Sequence, residues 1–359
     1  MKKIGIGIIG SGFARRVQIP AFLACDGVEL VSIASGRLEN ARAAAEEFGI
    51  AHFTDNWRET VARDDVDLVC ITTPPNLHRE MTLAAIENDK HVLCEKPMAM
   101  NVAEAEEMTA AAEGSNRLAL IDHELRFLHG RIKAFEMLRD GAVGTVRNAR
   151  ATFQAPHRGD PSLKWDWWSD KKQGGGALGA IGSHVIDTLQ WLLGTEITEV
   201  FCQLSTNVKG RIDKTGSKRM VTSDDQTSMI VRLADGKLTT DTTAMVSVSM
   251  TEGPKYQNRT EFYGTDGTLS IDHFGRISIA KTGEADWSHI SVDAGAPVGK
   301  FPDTGFSRGF MAFAPLIVEA IRSNRASIEG AATFADGLQI QRVLDAARES
   351  HSRGRSVAI

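Results

Sequence analysis

Apolar and polar positions alternate along the first third of the chain as short apolar runs separated by amphipathic segments. Four isoleucines within the first nine residues form the first run. Short apolar runs bounded by turn residues predict buried strands. Further strands are predicted at Glu29–Ala34, Asp67–Thr72, His91–Cys94 and Leu118–Asp122, with helices at Leu38–Phe48, Leu77–Asn88 and Ala103–Glu113. This alternation predicts an α/β domain with a doubly wound parallel sheet.

From Arg147 the pattern changes to longer strands that follow one another. They are predicted at Arg147–Phe153, Glu199–Thr206, Thr227–Leu233, Lys237–Val248, Asn258–Tyr263 and Thr268–Asp272. Successive strands joined by Gly-containing turns indicate a mostly antiparallel sheet. We therefore expect a Rossmann domain at residues 1–122 and, at residues 123–359, an α+β domain with a large, mostly antiparallel open sheet that binds substrate and forms oligomers.

Two helices and one polar segment complete this second part. A helix is predicted to begin after the glycine run Gly174–Gly176 and to end at Leu193, before Gly194. The last helix is predicted at Ala332–Glu349. The polar residues Lys209–Ser223 interrupt the strands, and we interpret them as a mobile surface loop.

The segment Ile6–Arg15, IGIIGSGFAR, joins the first strand to a glycine turn at Gly10 and Gly12. A helix is predicted from about Phe13, so that Gly10, Gly12, Phe13 and Ala14 cradle the pyrophosphate of a dinucleotide. Gly-x-Gly also occurs in ordinary tight turns, and the motif alone leaves that alternative open. Its position at the start of a βαβαβ order favours the dinucleotide site.

Composition and charge exclude several classes of function. The net charge is −5 and there is no long basic run, which argues against a nucleic-acid partner. No apolar run approaches the roughly 20 residues of a membrane span, and residues 1–10 lead into a strand, so we expect a cytoplasmic protein without a membrane partner. The four scattered cysteines predict buried free thiols and no metal site.

Lys96 is the main candidate for acid–base chemistry. It follows the strand His91–Cys94 within the tripeptide Glu95-Lys96-Pro97. The carboxyl ends of parallel strands meet at one crevice, so Lys96 should face the dinucleotide cradled by the glycine loop. Oxidation of a carbinol needs a base for the hydroxyl proton, which a lysine can supply. The alternative is an ordinary surface lysine at a strand end.

His184 and Asp187 lie three residues apart in the predicted helix of GGGALGAIGSHVID, Gly174–Asp187. This spacing puts both on one helix face, where Asp187 can orient one imidazole nitrogen while the other meets the substrate. A capped or core histidine is the alternative interpretation. The preceding glycines permit a ligand to approach the backbone closely.

Other substrate contacts are predicted from side chains near these segments. Trp165 and Trp168, with Trp167 between them, suggest a flat stacking wall for a sugar-like ring or the nicotinamide, although core packing explains at least one of them equally well. His123 and Arg126 lie at the domain junction and are candidates for contacts to substrate hydroxyl or carboxylate groups.

The end of the second strand favours NADP(H) over NAD(H). An Asp or Glu usually holds the ribose 2′-hydroxyl there, but this chain reads Ala34-Ser35-Gly36-Arg37. Ser35 can donate a hydrogen bond to a 2′-phosphate, and the Arg37 guanidinium can pair with it. If Arg37 is instead a solvated turn residue, NAD(H) stays acceptable.

Taken with these residues, the chain resembles the Gfo/Idh/MocA family, the glucose-fructose oxidoreductase, inositol 2-dehydrogenase and rhizopine catabolism group of NAD(P)-dependent oxidoreductases. The resemblance rests on the glycine loop, Thr72–His78, Glu95-Lys96-Pro97, the glycine-led helix with His184 and Asp187, and the segment from Asp336-Gly337 to Ala346-Ala347. It implies that Lys96 is catalytic or next to the nicotinamide and that His184 is its acid–base partner. It also implies that Thr73, Pro74, Asn76 and His78 line the cofactor, that Glu95 supports it, and that the Lys96–Pro97 bond is cis.

Two positions depart from the family pattern. Arg15 stands where the third glycine of the fingerprint belongs, which alters the usual helix–strand contact. Ala180 stands where many members carry an aspartate four residues before the helix histidine. A proton relay through that aspartate is therefore absent, and Lys96 and His184 are left to act without it.

The resemblance implies a dehydrogenase or reductase for a sugar, polyol or keto-sugar. Two alternatives stay open: a nicotinamide-dependent glycosidase without net redox change, and a regulator that binds dinucleotide without turnover. The retention of Lys96 and His184 favours an enzyme. A sheet covered by helices on one face leaves its other face to be buried, which predicts a homodimer or homotetramer.

Overall fold

The computed structural model describes residues 3–296, 299 and 302–359. Strands and helices alternate from the N-terminus, as predicted. Their order is β1 (Ile4–Ile9), α1 (Gln18–Leu23), β2 (Val28–Ala34), α2 (Leu38–Phe48), β3 (His52–Thr54), α3 (Trp57–Val61), β4 (Leu68–Ile71), α4 (His78–Glu87), β5 (His91–Cys94), α5 (Val102–Glu113) and β6 (Ala119–Ile121). Short 3₁₀ turns follow β4 at Pro75–Leu77 and β6 at Glu124–Phe127.

These six strands form one parallel sheet in the order β3-β2-β1-β4-β5-β6. The order reverses between β1 and β4, and in such sheets ligands bind outside the carboxyl ends of the strands at this switch point. All residues of β1, β4 and β5 are buried. Continuous apolar strands of this kind are covered by helices on both faces, and the predicted Rossmann architecture is confirmed.

Long strands dominate the rest of the chain. The elements are α6 (His129–Arg139), β7 (Val146–Gln154), α7 (Ser183–Leu193), β8 (Ile197–Ser205), β9 (Gly210–Ile212), β10 (Lys218–Met220), β11 (Gln226–Leu233), β12 (Thr239–Ser249), β13 (Gln257–Gly264), β14 (Gly267–Asp272), β15 (Ile277–Lys281), β16 (Ser288–Ile290), α8 (Gly305–Arg322), α9 (Phe334–Arg353) and β17 (Val357–Ala358).

Nine of these strands form a large sheet in the order β16-β15-β14-β13-β7-β12-β11-β8-β17. All its neighbouring strands are antiparallel except the parallel pair β7–β12. Buried and exposed residues alternate along β11, as expected for a sheet with one covered face. On its open face Phe201, Ile230 and Met245 are exposed. The predicted large, mostly antiparallel open sheet is confirmed.

The chain divides into two compact units, each built from two segments. Unit 1 comprises Met1–Leu128 and Gly295–Leu338, and unit 2 comprises His129–Ala294 and Gln339–Ile359. This division differs from the continuous boundary predicted after Asp122, because α8 packs within unit 1. Phe310 of α8 meets Phe22 edge-on with ring centroids 5.4 Å apart, and Phe313 stacks on Phe127 at 4.1 Å.

The segment Lys209–Ser223 is not the loop that its polarity predicted. It contains the antiparallel pair β9–β10. Arg211 of β9 is buried and donates a hydrogen bond to the Asp160 carbonyl at 2.9 Å, and Arg219 of β10 stacks on Trp165 at 3.6 Å. Within the described residues, none of the helices combines the length and apolar character needed to cross a bilayer.

Candidate functional site

The glycine loop after β1 contains two glycines that differ in what requires them. Gly10 has φ +103°, and a Cβ there would lie 2.6 Å from the Thr72 carbonyl oxygen. The structure of the chain itself therefore demands glycine at this position. Gly12 has no left-handed backbone, and a Cβ there would meet no atom within 4 Å. Its open surroundings fit a ligand that approaches the backbone closely, as a pyrophosphate does in this fold.

The helix after this loop begins later than predicted. Residues 12–17 form turns and α1 begins at Gln18, so the expected start at about Phe13 is wrong. Phe13 is half-buried and Ala14 is buried. Arg15, in the place of the third glycine, donates from Nε to Glu47 of α2 at 2.9 Å. Arg15 therefore forms an ion pair at the surface, in the position where the usual fingerprint has a glycine.

Ser35 and Arg37 lie at the carboxyl end of β2, next to the glycine loop. The Ser35 hydroxyl is 3.3 Å from the Ser11 hydroxyl. The Arg37 side chain is half exposed and its Nε lies 3.5 Å from Glu39, which is itself exposed. Gly36 between them would meet no atom within 4 Å of an added Cβ. A hydroxyl donor and an accessible guanidinium therefore flank open space at this strand end.

The loop after β4 is tied to the loop after β5 by His78. Its imidazole is completely buried, and its nitrogens lie 3.0 Å from the Pro97 carbonyl oxygen and 2.9 Å from the Thr73 carbonyl oxygen. Burial lowers the pKa of His78. The His78 side chain therefore holds the two loops together. In the loop after β4, Thr73 and Pro74 are half-buried and Asn76 is exposed.

Lys96 lies directly after β5, and the Lys96–Pro97 peptide bond is cis, as the family resemblance implies. The Lys96 side chain is 15% exposed and its Nζ lies 3.8 Å from Oε2 of Glu95. Glu95 is buried, which raises its pKa, while the ammonium of Lys96 opposes that rise. Lys96 therefore has a carboxyl partner within unit 1.

His123 and Arg126 follow β6 and are both buried. The Arg126 guanidinium forms an ion pair with Asp336 at 3.1 Å and lies 3.4 Å from the Gly330 carbonyl oxygen. This ion pair contributes to the lowered pKa of Asp336. A substrate contact at Arg126, as predicted from the sequence, would share a guanidinium that already has a carboxylate partner.

In unit 2 the glycine run is explained by contacts within the chain. A Cβ at Gly175 would collide with the carbonyl oxygens of Trp167 and Trp168, and Gly176 has φ +123° beside the Asp224 carboxylate. Asp224 Oδ2 accepts a hydrogen bond from the Leu178 amide at 2.7 Å. The close approach that these glycines permit is therefore made by the protein itself, rather than by the ligand expected from the sequence.

His184 and Asp187 share helix α7, as predicted. A π-helical segment at Leu178–Gly182, which contains the buried Ala180, runs directly into this helix, and such segments are frequent at functional sites. His184 is 4% and Asp187 is 2% exposed. Thr188, one turn after His184, donates to the His184 carbonyl at 2.7 Å and accepts from Arg131 at 2.5 Å, which joins α7 to α6.

The tryptophans do not form the flat wall that their spacing suggested. The planes of Trp167 and Trp168 are inclined by 53° with centroids 6.0 Å apart. Trp165 donates from its indole nitrogen to the Met220 carbonyl at 3.0 Å and is covered by Arg219. Contacts of Trp165 and Trp168 with a substrate stay predictions.

Sequence reasoning missed three buried polar residues around Glu95. They are Gln18, Asp122 and Glu124, each fully buried. Asp122 and Glu124 lie at the predicted domain boundary, where acidic residues are normally expected to be exposed to solvent. The missed signal is the position of Asp122 directly after a strand that neighbours β5, since the ends of adjacent parallel strands meet. Among the described residues, no group of three or more His, Cys, Asp or Glu side chains is placed to hold a metal ion.

Comparisons with known proteins match both the parallel-sheet domain and the large-sheet domain to one family. Residues 4–123 match the model of an oxidoreductase family with an NAD-binding Rossmann fold, and residues 132–270 match the GFO/IDH/MocA C-terminal domain. The class is therefore that of nicotinamide-dependent oxidoreductases. The chain belongs to the GFO/IDH/MocA family.

Several relatives match over nearly the full length. The crystal structure of an oxidoreductase domain protein from Kribbella flavida superposes with a TM-score of 0.88 at 31% identity, covering 100% of both chains. Levoglucosan dehydrogenase of Pseudarthrobacter phenanthrenivorans is 29% identical, over 98% of this chain and 97% of its own. A levoglucosan dehydrogenase structure in complex with NADH and levoglucosan has a TM-score of 0.87 at 26% identity, covering 100% of this chain and 99% of that one.

Proposed function

We propose that this protein transfers a hydride between NADP(H), in preference to NAD(H), and a carbinol or carbonyl carbon of a sugar, polyol or related small molecule. The observation that carries the proposal is Lys96, held 3.8 Å from the buried Glu95 at the end of β5. It lies in the same unit as a glycine loop whose Gly12 leaves open space. The relative crystallised with NADH and levoglucosan supports a sugar as the substrate class.

Each residue has a defined part in this proposal. When bound, the nicotinamide supplies the hydride donor or acceptor. The Nζ of Lys96 takes the proton of the substrate hydroxyl during oxidation and returns it during reduction. Glu95 supplies the negative charge opposite Lys96. His184 shares proton transfer or holds the reacting oxygen, and Asp187 orients its imidazole.

The remaining contacts divide between the cofactor and the substrate. Gly10, Gly12, Phe13 and Ala14 hold the pyrophosphate. Thr73, Pro74 and Asn76 line the cofactor, and His78 supports their loop from behind. His123, Arg126, Trp165 and Trp168 are the proposed substrate contacts.

The preference for NADP(H) rests on Ser35 and Arg37. No acidic residue stands at the end of β2, where one would hold a ribose 2′-hydroxyl. The exposed Arg37 guanidinium can pair with a 2′-phosphate by charge, and the Ser35 hydroxyl can donate a hydrogen bond to it. Opposing this preference, Glu39 lies 3.5 Å from Arg37 and competes for the guanidinium.

A substrate panel tests the proposed reaction. Sugars, inositols and sugar acids are incubated with NAD⁺ or NADP⁺, and nicotinamide absorbance and substrate loss are followed together. We expect reduced nicotinamide to accumulate in proportion to the substrate consumed. Consumption without any reduced nicotinamide would favour the glycosidase. Dinucleotide binding without turnover of any compound would favour a regulator.

A further inference from the structure

Three acidic side chains are buried near one another, and one of them, Glu95, contacts Lys96. Glu95 is 6% exposed, and Asp122 and Glu124 are completely buried. Glu95 directly follows β5 and Asp122 directly follows β6, and the two strands are paired so that Cys94 lies beside Ile121. Buried carboxyl groups that face each other cannot all be ionised, because desolvation and mutual repulsion both favour the protonated form.

Gln18 joins two of these carboxyl groups. This residue begins α1, is completely buried, and donates from Nε2 to Oε1 of Glu95 at 3.2 Å and to Oδ2 of Asp122 at 2.7 Å. One amide nitrogen therefore holds both side chains in place. The other oxygen of Glu95, Oε2, is the one that lies 3.8 Å from Lys96.

The surroundings decide which carboxyl group holds a proton. Burial raises the pKa of Asp122 well above its usual range, and the charges of Glu124 and Glu95 raise it further. Burial also raises the pKa of Glu95, but Lys96 opposes this rise. The two carboxyl groups also share a side-chain hydrogen bond, which raises the pKa of Asp122 and lowers that of Glu95, as expected when Asp122 is the protonated donor.

The two thiols on the neighbouring strands supply no compensating charge. The thiols of Cys70 on β4 and Cys94 on β5 both interact with Asp122 and Glu95, and burial raises the pKa of each thiol, which keeps it neutral. Glu124, on the turn after β6, raises the pKa of Asp122 through its charge. Of the two hydrogen-bonded carboxyl groups, Asp122 is therefore the one that holds a proton more readily, and Glu95, beside Lys96, is the one that carries negative charge more readily.

We propose that Gln18 and Asp122 are positioning residues for Lys96, which hold Glu95 ionised and in place as its counter-charge while Asp122 keeps its own proton. The proposal rests on the proposed function, in which Lys96 moves the substrate proton. During that step the proton passes only between the substrate oxygen and Nζ of Lys96. Both carboxyl groups keep their protonation states, so the charge opposite Lys96 stays constant through the reaction.

Reactivity of Lys96 tests this without any substrate. The full-length protein is labelled with acetic anhydride between pH 6 and pH 11, and acetylation of Lys96 is measured by peptide mass spectrometry against the exposed Lys133. We expect Asp122→Leu and Gln18→Met to lower the pH of half-maximal Lys96 labelling by about one unit, because Glu95 loses a hydrogen-bond donor that holds it ionised beside Lys96. Glu95→Gln, which removes the counter-charge itself, should lower the midpoint in the same direction. Asp122→Asn should keep the wild-type midpoint, because its amide can still donate to Glu95.

Two controls separate positioning from folding. Asp225→Asn removes a buried carboxylate in unit 2 that accepts from the amides of Asn207 and Val208, and it should leave Lys96 labelling unchanged. In the wild-type protein at pH 7, infrared spectroscopy should show the carbonyl band of a protonated carboxylic acid, and Asp122→Asn should remove it. The infrared measurement tests the protonation of Asp122 even if the apolar variants do not fold.

Two results would overturn the proposal. One is that Asp122→Leu and Gln18→Met label Lys96 with the same midpoint pH as the unmodified protein. The other is that the infrared spectrum of the unmodified protein lacks the band of a protonated carboxylic acid. If the labelling result holds but Lys96→Ala keeps full turnover, the proposed function fails while the charge arrangement stands.

Once a substrate is identified, Asp122→Leu should lower kcat about tenfold or more and shift the pH profile of kcat at unchanged KM. A merely structural role would change neither kcat per active site nor its pH profile.

Discussion

At the scale of single residues, neighbouring glycines in one loop have separable roles. Gly10 is required by its φ of +103° and by the Thr72 carbonyl, whereas nothing in the chain requires Gly12. We expect Gly10→Ala to lower the free energy of unfolding by about 1–3 kcal/mol. Gly12→Ala should change it by only about 0.5 kcal/mol or less, yet weaken dinucleotide binding. Denaturant unfolding and fluorescence titration with NADPH measure the two effects. Wild-type NADPH affinity in Gly12→Ala would contradict the assignment of this loop.

Arg37 decides the cofactor preference. Dissociation constants for NADPH and NADH are compared between the unmodified protein and Arg37→Ala. We expect NADPH to bind more tightly to the unmodified protein, and the substitution to weaken NADPH binding about tenfold or more, since a charge-assisted hydrogen bond contributes about 1.5–3 kcal/mol. Binding of NADH should change little. Tighter NADH binding by the unmodified protein, unchanged by the substitution, would refute the NADP(H) preference. Glu39→Gln serves as a control, because it frees Arg37 and should strengthen NADPH binding.

Residue patterns predicted the glycine loop and Lys96, but not the polar residues behind them. Gly10 and Lys96 could be predicted because each follows an apolar strand within a recognisable motif. Gln18 and Asp122 are single polar residues whose burial depends on how β5, β6 and α1 pack. The position of Asp122 directly after a predicted strand was the one available signal, and the burial of Gln18 leaves no local pattern in the sequence.

At the scale of elements, His91 links β5 to the residue before β6. Its Nδ1 accepts a hydrogen bond from the Leu118 amide at 2.9 Å. Burial, helped by Arg117, lowers the pKa of His91 from 6.5 to about 4. The unfolded chain therefore binds more protons than the folded one in this range, and stability is lost as the pH falls from about 6.5 to 4.

His91→Gln should remove this pH dependence. The shift corresponds to roughly 3 kcal/mol between pH 7 and pH 4, and urea unfolding at several pH values measures it. We expect a flatter stability curve in the variant, because the glutamine oxygen can accept from Leu118 without titrating. His289→Gln, at an exposed site, should keep the wild-type curve. If both variants keep the wild-type slope, His91 is not the group responsible.

The elements predicted with correct bounds are a helix with a buried alanine face and a short apolar strand, both of which show in the local sequence. Leu38–Phe48 and His91–Cys94 were predicted with the bounds that the structure has. Helix α8 was missed, although it carries many buried apolar residues, and its place in unit 1 depends on contacts with α1 far earlier in the chain. The pair β9–β10 was missed because each strand has only three residues and most of them are polar. The contacts of Arg211 with Asp160 and of Arg219 with Trp165 stabilise the pair, and such contacts leave no periodic pattern in the sequence.

At the scale of the whole molecule, the open face of the nine-stranded sheet predicts self-association. Ile230 is 51% and Met245 is 54% exposed on neighbouring strands, beside Phe201 on β8. Contiguous exposed apolar side chains on a sheet favour burial against a partner. We expect a homodimer or homotetramer by light scattering at micromolar concentration, and a monomer for the double variant Ile230→Glu/Met245→Glu. Met220→Glu, at a 78% exposed site on β10, is the matched control and should not change the mass. A monomeric wild-type protein would contradict this prediction.

The central claim is that Lys96 moves the proton that accompanies hydride transfer, and the turnover of Lys96→Ala tests it most directly. On a substrate identified by the panel, kcat should fall by about 10²–10⁴-fold, the range typical of a general acid or base. The dissociation constant of the dinucleotide should stay close to wild type, and Lys133→Ala should keep full turnover. A Lys96→Ala variant that turns over the same substrate at a near-wild-type rate would contradict the claim.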